Sequence, residues 1–438
     1  MNLAAACRTV LVLLSFAALA VPARAGECVP EWTALDSGIE SGFVFAMEVF
    51  DDGSGPAMYA GGSFTNVSGV PANRVARWDG SEWSALQTGT NGRVFALASF
   101  DDGTGPALYV GGEFTGVTGY LALRIAKWDG SEWSPLGGGM NGWVRAMAVF
   151  DDGTGPALYA GGEFTQAGGV QVNYVAKWDG EAWSPLGTGL TGAVIDMAVY
   201  DDGSGPALYV GGGFGAAGGQ PAARVAKWDG SAWSALGTGM NQPVLALETF
   251  DDGSGPALYA AGDFWLAGGN PASRVAKWDG SAWSPLGEGL GGTTRDLTVF
   301  DDGSGPALYA GGGFPNAGGQ PAGGIASWDG SSWSSQKTAV NPRVLIPFND
   351  GSGPALYAGG GFTEICARQV NSIARWGCVP PRSCAADINL DGVVDLIDLN
   401  LVLSNFEDQT FCGDTNNDGA VDLADLNAVL AAFGQACP

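Results

Sequence analysis

The chain has 438 residues, with 45 Asp and Glu against 19 Lys and Arg, a formal net charge of −26 and no histidine. So acidic a surface is a poor partner for nucleic acid or anionic membrane, both of which need basic residues. The lack of histidine excludes Ser-His-Asp and Cys-His arrangements and histidine-bound zinc.

In chain order, residues 1–25 come first. Arg8, an apolar run from Thr9 to Val21, and Ala23-Arg24-Ala25 before Gly26 read as a secretory signal cleaved after Ala25. The run is too short to span a membrane. Cleavage removes Arg8 and Arg24, leaving 17 basic residues against 45 acidic, a net of −28. The expectation is a soluble, secreted protein, extracellular or associated with a cell surface.

From Glu31 to Trp376 the chain repeats. Trp78, Trp128, Trp178, Trp228, Trp278 and Trp328 fall 50 residues apart, with a degenerate seventh at Trp376. A Phe-Asp-Asp-Gly turn also occurs seven times, at Phe50, Phe100, Phe150, Tyr200, Phe250, Phe300 and Phe348. In the second copy four strands are predicted: A over Val94–Phe100, B over Ala107–Phe114, C over Arg124–Trp128 and D over Glu132–Leu136. Asp-Gly and Gly-Pro pairs between β-branched and aromatic runs mark the hairpins. A period near 50 with four strands per unit predicts an all-β, seven-bladed β-propeller over residues 26–378. The extra strand-D match at Glu31–Leu35, with a last unit that stops after strand C, predicts that the N-terminal strand completes the seventh blade and closes the ring.

The order Tyr-x-Gly-Gly, Trp-Asp, Trp-x-x-Leu resembles kelch-type propellers. The LGxGMNGxV connection is similar to the propeller of Rax2-like cell-surface proteins. The resemblance covers residues 31–377 and implies the fold; it leaves the activity open, since propellers host unrelated functions. The copper site of galactose oxidase, a kelch-type enzyme, has histidine ligands, which this chain lacks.

The Asp-Asp-Gly turns, from Asp51-Asp52 to Asp301-Asp302 and Asp350, are nearly identical in every blade, which points to a turn requirement and not to metal. Function is expected where the repeat breaks. At the entrance to strand A one position varies as Phe43, Arg93, Trp143, Ala193, Pro243, Thr293 and Arg343. Another varies as Phe45, Phe95, Arg145, Ile195, Leu245, Arg295 and Leu345. Strand A is innermost in a propeller, so these residues are expected at the channel mouth. With Asp263 and Trp265 of one B–C connection, Trp143, Arg145 and Arg295 form the candidate ligand face. Asp196 and Asp296 replace an alanine found in four other blades. They read either as inter-blade packing with Arg–Asp pairing or as part of a pocket, and they are the first pair to consider as the acid and base of a glycosidase.

Past Cys378, a Pro-rich stretch at 379–383 reads as a linker into residues 384–438. There a twelve-residue motif occurs twice, 27 residues apart. Oxygen ligands at positions 1, 3, 5, 9 and 12, a carbonyl at 7 and Gly at 6 make the calcium loop of an EF-hand. The expected ligands are Asp387, Asn389, Asp391, the Val393 carbonyl, Asp395 and Asp398, then Asp414, Asn416, Asp418, the Ala420 carbonyl, Asp422 and Asp425, for two Ca²⁺ ions. Each loop runs into a short helix with an apolar stripe, Leu399, Val402, Leu403, Phe406 and Leu426, Val429, Leu430, Phe433. The duplication resembles a type I dockerin, which implies docking to a cohesin-like partner. The pairs Leu396-Ile397 and Leu423-Ala424, at positions 10 and 11, are apolar and unequal, and depart from the cellulosomal pattern.

Six cysteines remain after the signal: Cys28, Cys366, Cys378, Cys384, Cys412 and Cys437. Aligning Trp32 with Trp83 and Trp376 with Trp78 puts Cys28 and Cys378 in the C–D turn that the seventh blade cannot make covalently, so they are expected to form a disulfide. Cys384 with Cys437 is a further expected pair, leaving Cys366 and Cys412 unassigned. The resulting reading is a secreted, non-catalytic propeller with a carbohydrate or cell-surface ligand and a calcium-dependent dockerin-like tail. The alternative is a polysaccharide-acting glycosidase or lyase targeted by the same tail.

Overall fold

The structure, a computed structural model, describes residues 29–336, 338–365, 368–379, 386–389, 393–406, 413, 415 and 421–436. Seven four-stranded antiparallel sheets form a seven-bladed β-propeller. In blade 2, strand A (Val94–Asp101) pairs with B (Pro106–Gly112), B with C (Ile125–Trp128) and C with D (Trp133–Pro135). Each B–C connection also carries a short hairpin with two residues a side, such as Gly116–Val117 with Tyr120–Leu121, in addition to the four predicted strands.

The ring closes as expected. Strand D of blade 7 is the N-terminal strand Val29–Ala34, paired antiparallel with strand C of that blade, Ile373–Val379, so that Trp32 stands opposite Trp376. Strand C thus continues through Val379, the first residue of the expected linker.

The repeat residues explain the geometry. In the Asp-Asp-Gly turn, Asp51 Oδ1 accepts from Gly53 and Gly55 N–H, and Asp52 Oδ1 accepts from the Ser54 N–H and hydroxyl. Tyr59 donates to Asp52 Oδ2 at 2.9 Å. Aspartate is suited to such self-closing turns because its short carboxylate reaches the backbone two residues on. The Gly-Gly pair ends strand B for a packing reason. A Cβ on Gly61 would lie 2.5 Å from Val94 Cγ1 of the next blade.

Hydrophobic clusters form between neighbouring blades: Phe50 and Tyr59 of blade 1 pack with Leu97, Leu108 and Trp128 of blade 2. Each cluster needs both blades, so closure by Trp32 completes the last one, with Phe300, Leu345 and Trp376.

Residues 396–436 hold two short helices, α1 (Leu396–Ser404) and α2 (Leu423–Ala432), packed over Ile388, Val394, Val402, Val421 and Val429. No described helix is long and apolar enough to cross a membrane.

Candidate ligand site at the channel mouth

Every strand A carries a β-bulge at its entrance. In blade 1, Val44 pairs with Gly62 and Ala46 with Gly61, leaving Phe45 unpaired. A bulge re-aims the extra side chain, and the same irregularity frees Phe95, Arg145, Ile195, Leu245, Arg295 and Arg343. All seven line one cavity of about 610 Å³ around the ring axis. This corrects the register expected for blade 7. Pro342 pairs with Gly360 as Val44 does with Gly62, so Arg343 is the bulge residue and Leu345 is equivalent to Met47. The physical reason is that the blade 6 to blade 7 connection is two residues shorter than the others.

Aromatic rings follow one another along part of the mouth. Phe43 stacks on Phe45 at 5.9 Å, Phe45 lies 5.4 Å from Phe95, and Phe95 lies 6.0 Å from Trp143. A guanidinium sits at each end. Arg343 lies over Phe43 and Phe45 at 5.1 and 5.2 Å, and Arg145 over Phe95 and Trp143 at 4.5 and 4.9 Å. Arg145 is also paired with Glu163 at 2.6 Å, and Arg93 lies 3.5 Å from Glu113.

Of the sequence-predicted ligand face, Trp143, Arg145 and Arg295 line the cavity; Asp263 and Trp265 do not. Asp263 accepts from the Thr293 hydroxyl at 2.6 Å, and Trp265 is 53 % exposed. Sequence reasoning did not single out Glu163, although it falls at the same repeat position as Asp263, where Gly or Ser stands in four blades.

Asp196 and Asp296 also line the cavity, but they are not paired with arginine as expected. Asp196 Oδ2 accepts from the Leu247 N–H of blade 5 at 2.7 Å, and Asp296 Oδ2 from the Leu345 N–H of blade 7 at 2.5 Å. The reason is geometric: the carboxylate on one strand A faces a backbone N–H of the adjacent strand A. Glu48 acts similarly, accepting from the Ser99 N–H and hydroxyl. Protein surrounds both aspartates while part of each side chain still meets the channel. Burial pushes Asp196 up to about 7 and Asp296 well above the ordinary carboxylate range, and for Asp296 the nearby Asp196 and Glu248 add to the rise.

On the opposite face the acid turns are satisfied internally. Burial raises Asp202, but hydrogen bonds from Lys227, Ser204 and Tyr209 outweigh it and hold the carboxyl below its usual range. Lys227 Nζ lies 2.6 Å from Asp202 Oδ2, and the same pair recurs at Lys127, Lys177 and Lys277.

In the C-terminal module, Asp398 and Asp425 are fully buried. Asp398 Oδ1 accepts from the Ile388 and Asn389 N–H groups and Oδ2 from Asp395 N–H, drawing loop position 12 against positions 2, 3 and 9. Asp425 does the same with Thr415 and Asp422. Asp395 and Asp422 cap the two helices. Residues 384–438 contain ten acidic residues and no basic one. Oxygen-only donors with this charge excess fit a hard divalent cation. Asn389 and Val393 belong to the described loop segments; Asp391, Asp414, Asn416, Asp418 and Ala420 lie outside the described residues, as do residues 1–25, Cys28, Cys366, Cys384, Cys412, Cys437 and the side chain of Cys378. Among the described residues no group of three acidic or cysteine side chains forms a complete metal cage.

A model of the Rax2 C-terminal β-propeller domain matches residues 123–305. No curated protein matches the chain. Among solved structures, the extracellular domain of a hybrid two-component system from B. thetaiotaomicron is 12 % identical, with a TM-score of 0.46, over 80 % of this chain and 40 % of that one. An ancestral GH74 enzyme is 16 % identical, with a TM-score of 0.48, over 79 % and 45 %. A chain of the mitotic checkpoint complex is 13 % identical, with a TM-score of 0.47, over 86 % and 99 %. The chain therefore spans less than half the length of the first two.

Proposed function

We propose that this chain is a secreted, non-catalytic binding protein. Its propeller presents a carbohydrate or cell-surface ligand site at the channel mouth, and its tail is a calcium-dependent, dockerin-like module for attachment to a cohesin-like partner. The observation that carries the reading is the contrast between the two faces of the ring. On one face nearly identical turns spend their carboxylates on themselves. On the other, the seven-fold repeat breaks, and seven bulge residues of different chemistry converge on one cavity.

Calcium bound at Asp387, Asn389, Asp391, Val393, Asp395 and Asp398, and at the second set, would supply the positive charge that the tail lacks and couple its folding to the metal. The raised pKa values of Asp196 and Asp296 favour a glycosidase as the second reading, since a carboxyl still protonated near neutral pH is suited to a general acid. Against it, each has an oxygen already engaged by the backbone of the next blade.

The test is to incubate the purified protein with a panel of polysaccharides. Retention without new reducing ends is the expected result. Reducing ends that vanish in Asp196→Asn or Asp296→Asn would make it an enzyme.

A further inference from the structure

Arg295 and Arg343 are the bulge residues of adjacent blades, and both line the channel cavity. They stand close enough to repel: Arg343 is pushed below the usual arginine range by burial first and by Arg295 second. The other two arginines at the mouth, Arg93 and Arg145, have carboxylate partners. Among the described residues, Arg295 and Arg343 make no ion pair, and the buried Nε of Arg295 has no hydrogen-bond acceptor. The chain has more than twice as many acidic as basic residues, yet supplies none of them to this pair. Both side chains are half-buried, with Arg343 lying over Phe43 and Phe45, and two like charges on one cavity wall with no carboxylate partner favour an anion between them.

The rest of the cavity narrows what that anion is attached to. Beside Arg343 the aromatic arc of Phe45, Phe95 and Trp143 offers apolar ring surface. Asp296, which follows Arg295 in the chain, and Asp196, two blades away, also face the cavity and have oxygens that can bond hydroxyl groups. A carboxylate on a body rich in hydroxyls and C–H faces uses all three features, whereas a bare phosphate would use only the arginines.

We infer that the channel mouth is a binding site for a uronic-acid oligosaccharide, with one uronate carboxylate held between Arg295 and Arg343 and sugar rings laid along Phe45, Phe95 and Trp143. This rests on the reading of the propeller as a binding module and names its ligand class. Planar guanidinium forks suit a carboxylate, which accepts two parallel N–H bonds, and sugar C–H faces suit aromatic rings.

The test is calorimetric titration of the full chain, in calcium, with a galacturonic acid pentamer, a neutral xylose pentamer, sodium acetate and inorganic phosphate. The pentauronate is expected to bind, acetate and phosphate to bind far more weakly, and the neutral pentamer not to saturate. Arg295→Gln and Arg343→Gln should each weaken pentauronate binding about tenfold or more, as expected for losing a charge-assisted hydrogen bond. Arg295→Lys and Arg343→Lys, which keep the charge and hence the fold, should show an intermediate loss. Equal binding of the neutral pentamer, binding of phosphate or acetate as tight as that of the pentauronate, or pentauronate binding indifferent to all four variants would overturn the inference while leaving a binding propeller. No retention of any glycan in the polysaccharide panel would instead remove the binding reading, and this inference with it.

Discussion

Arg368 of blade 7 donates its Nε hydrogen to the Ile388 carbonyl, 2.9 Å away, at the start of the first loop motif of the C-terminal module. The same guanidinium donates to the Trp32 carbonyl at 2.6 Å and forms an ion pair with Glu31. Burial lowers its pKa to about 10, even though nearby Asp387 acts in the opposite direction. One buried side chain therefore joins the strand that closes the ring to the tail. Arg368→Met should destabilise the protein by roughly 3–5 kcal/mol, the usual cost of removing one partner of a buried pair. Denaturant unfolding measures it; an unchanged midpoint would show that the junction contributes nothing.

Calcium should bind the full chain at two ions per molecule. Asp398→Asn and Asp425→Asn should each reduce this by one ion and lower the unfolding temperature in calcium. Calorimetry on chelated protein reads the stoichiometry, and no uptake of heat or metal would refute the tail assignment.

Acid should stabilise the ring between about pH 4 and 7. The folded pKa of Asp196, about 7, lies above its ordinary value of 3.8, so in this window the folded state holds more protons than the unfolded. The contribution is full below pH 4 and is lost as pH rises through 7; Asp296 acts in the same direction. Asp196→Asn keeps an oxygen for the Leu247 N–H but does not titrate, so its thermal stability should vary less with pH than that of the wild type. Identical pH profiles would disprove the buried-acid account.

Blade 6 lacks a cation that its neighbours have. Ser327 stands opposite Tyr309 where Lys277 stands opposite Tyr259, and no lysine reaches Asp302 among the described residues. Ser327→Lys should restore the pair and stabilise the protein by about 0.5–1 kcal/mol, the upper range for a pair that is mostly shielded. A lower unfolding midpoint would mean that the site cannot seat the longer side chain.

Cys28 and Cys378 are expected to be joined. The described register puts Cys378 opposite Pro30, two residues along the chain from Cys28. Chain-entropy models give up to about 5 kcal/mol for closing so long a loop. Non-reducing peptide mapping decides it, and a Cys28–Cys366 bridge would contradict the pairing.

The ring was legible because its landmarks are large and periodic: Trp78 to Trp328 fix the blades, and Trp32 reveals the borrowed strand. The bulge register in blade 7 was not, because a period of 50 carried through Trp328 overlooks the two residues missing before Phe348. Anchoring on Phe348 would have placed Arg343 beside Arg295. The departure of Asp196 from alanine marked it as special, but its partner is a main-chain N–H in another blade, and a backbone donor leaves no trace in residue identity. The B–C hairpins were missed for a similar reason, since two residues a side is too short for any alternation to show.

The partnership of Trp32 with Trp376 also sets a timetable. At the usual rates of synthesis, the N-terminal strand waits roughly 20–70 s before strand C of the last blade exists to receive it. Throughout that interval the nascent array has two raw edges and an unfilled wedge where Trp32 belongs. Such edges invite pairing with another copy, so neighbouring nascent chains of the same protein are its natural hazard. Each molecule escapes only when the last blade emerges and its own beginning reaches that blade first.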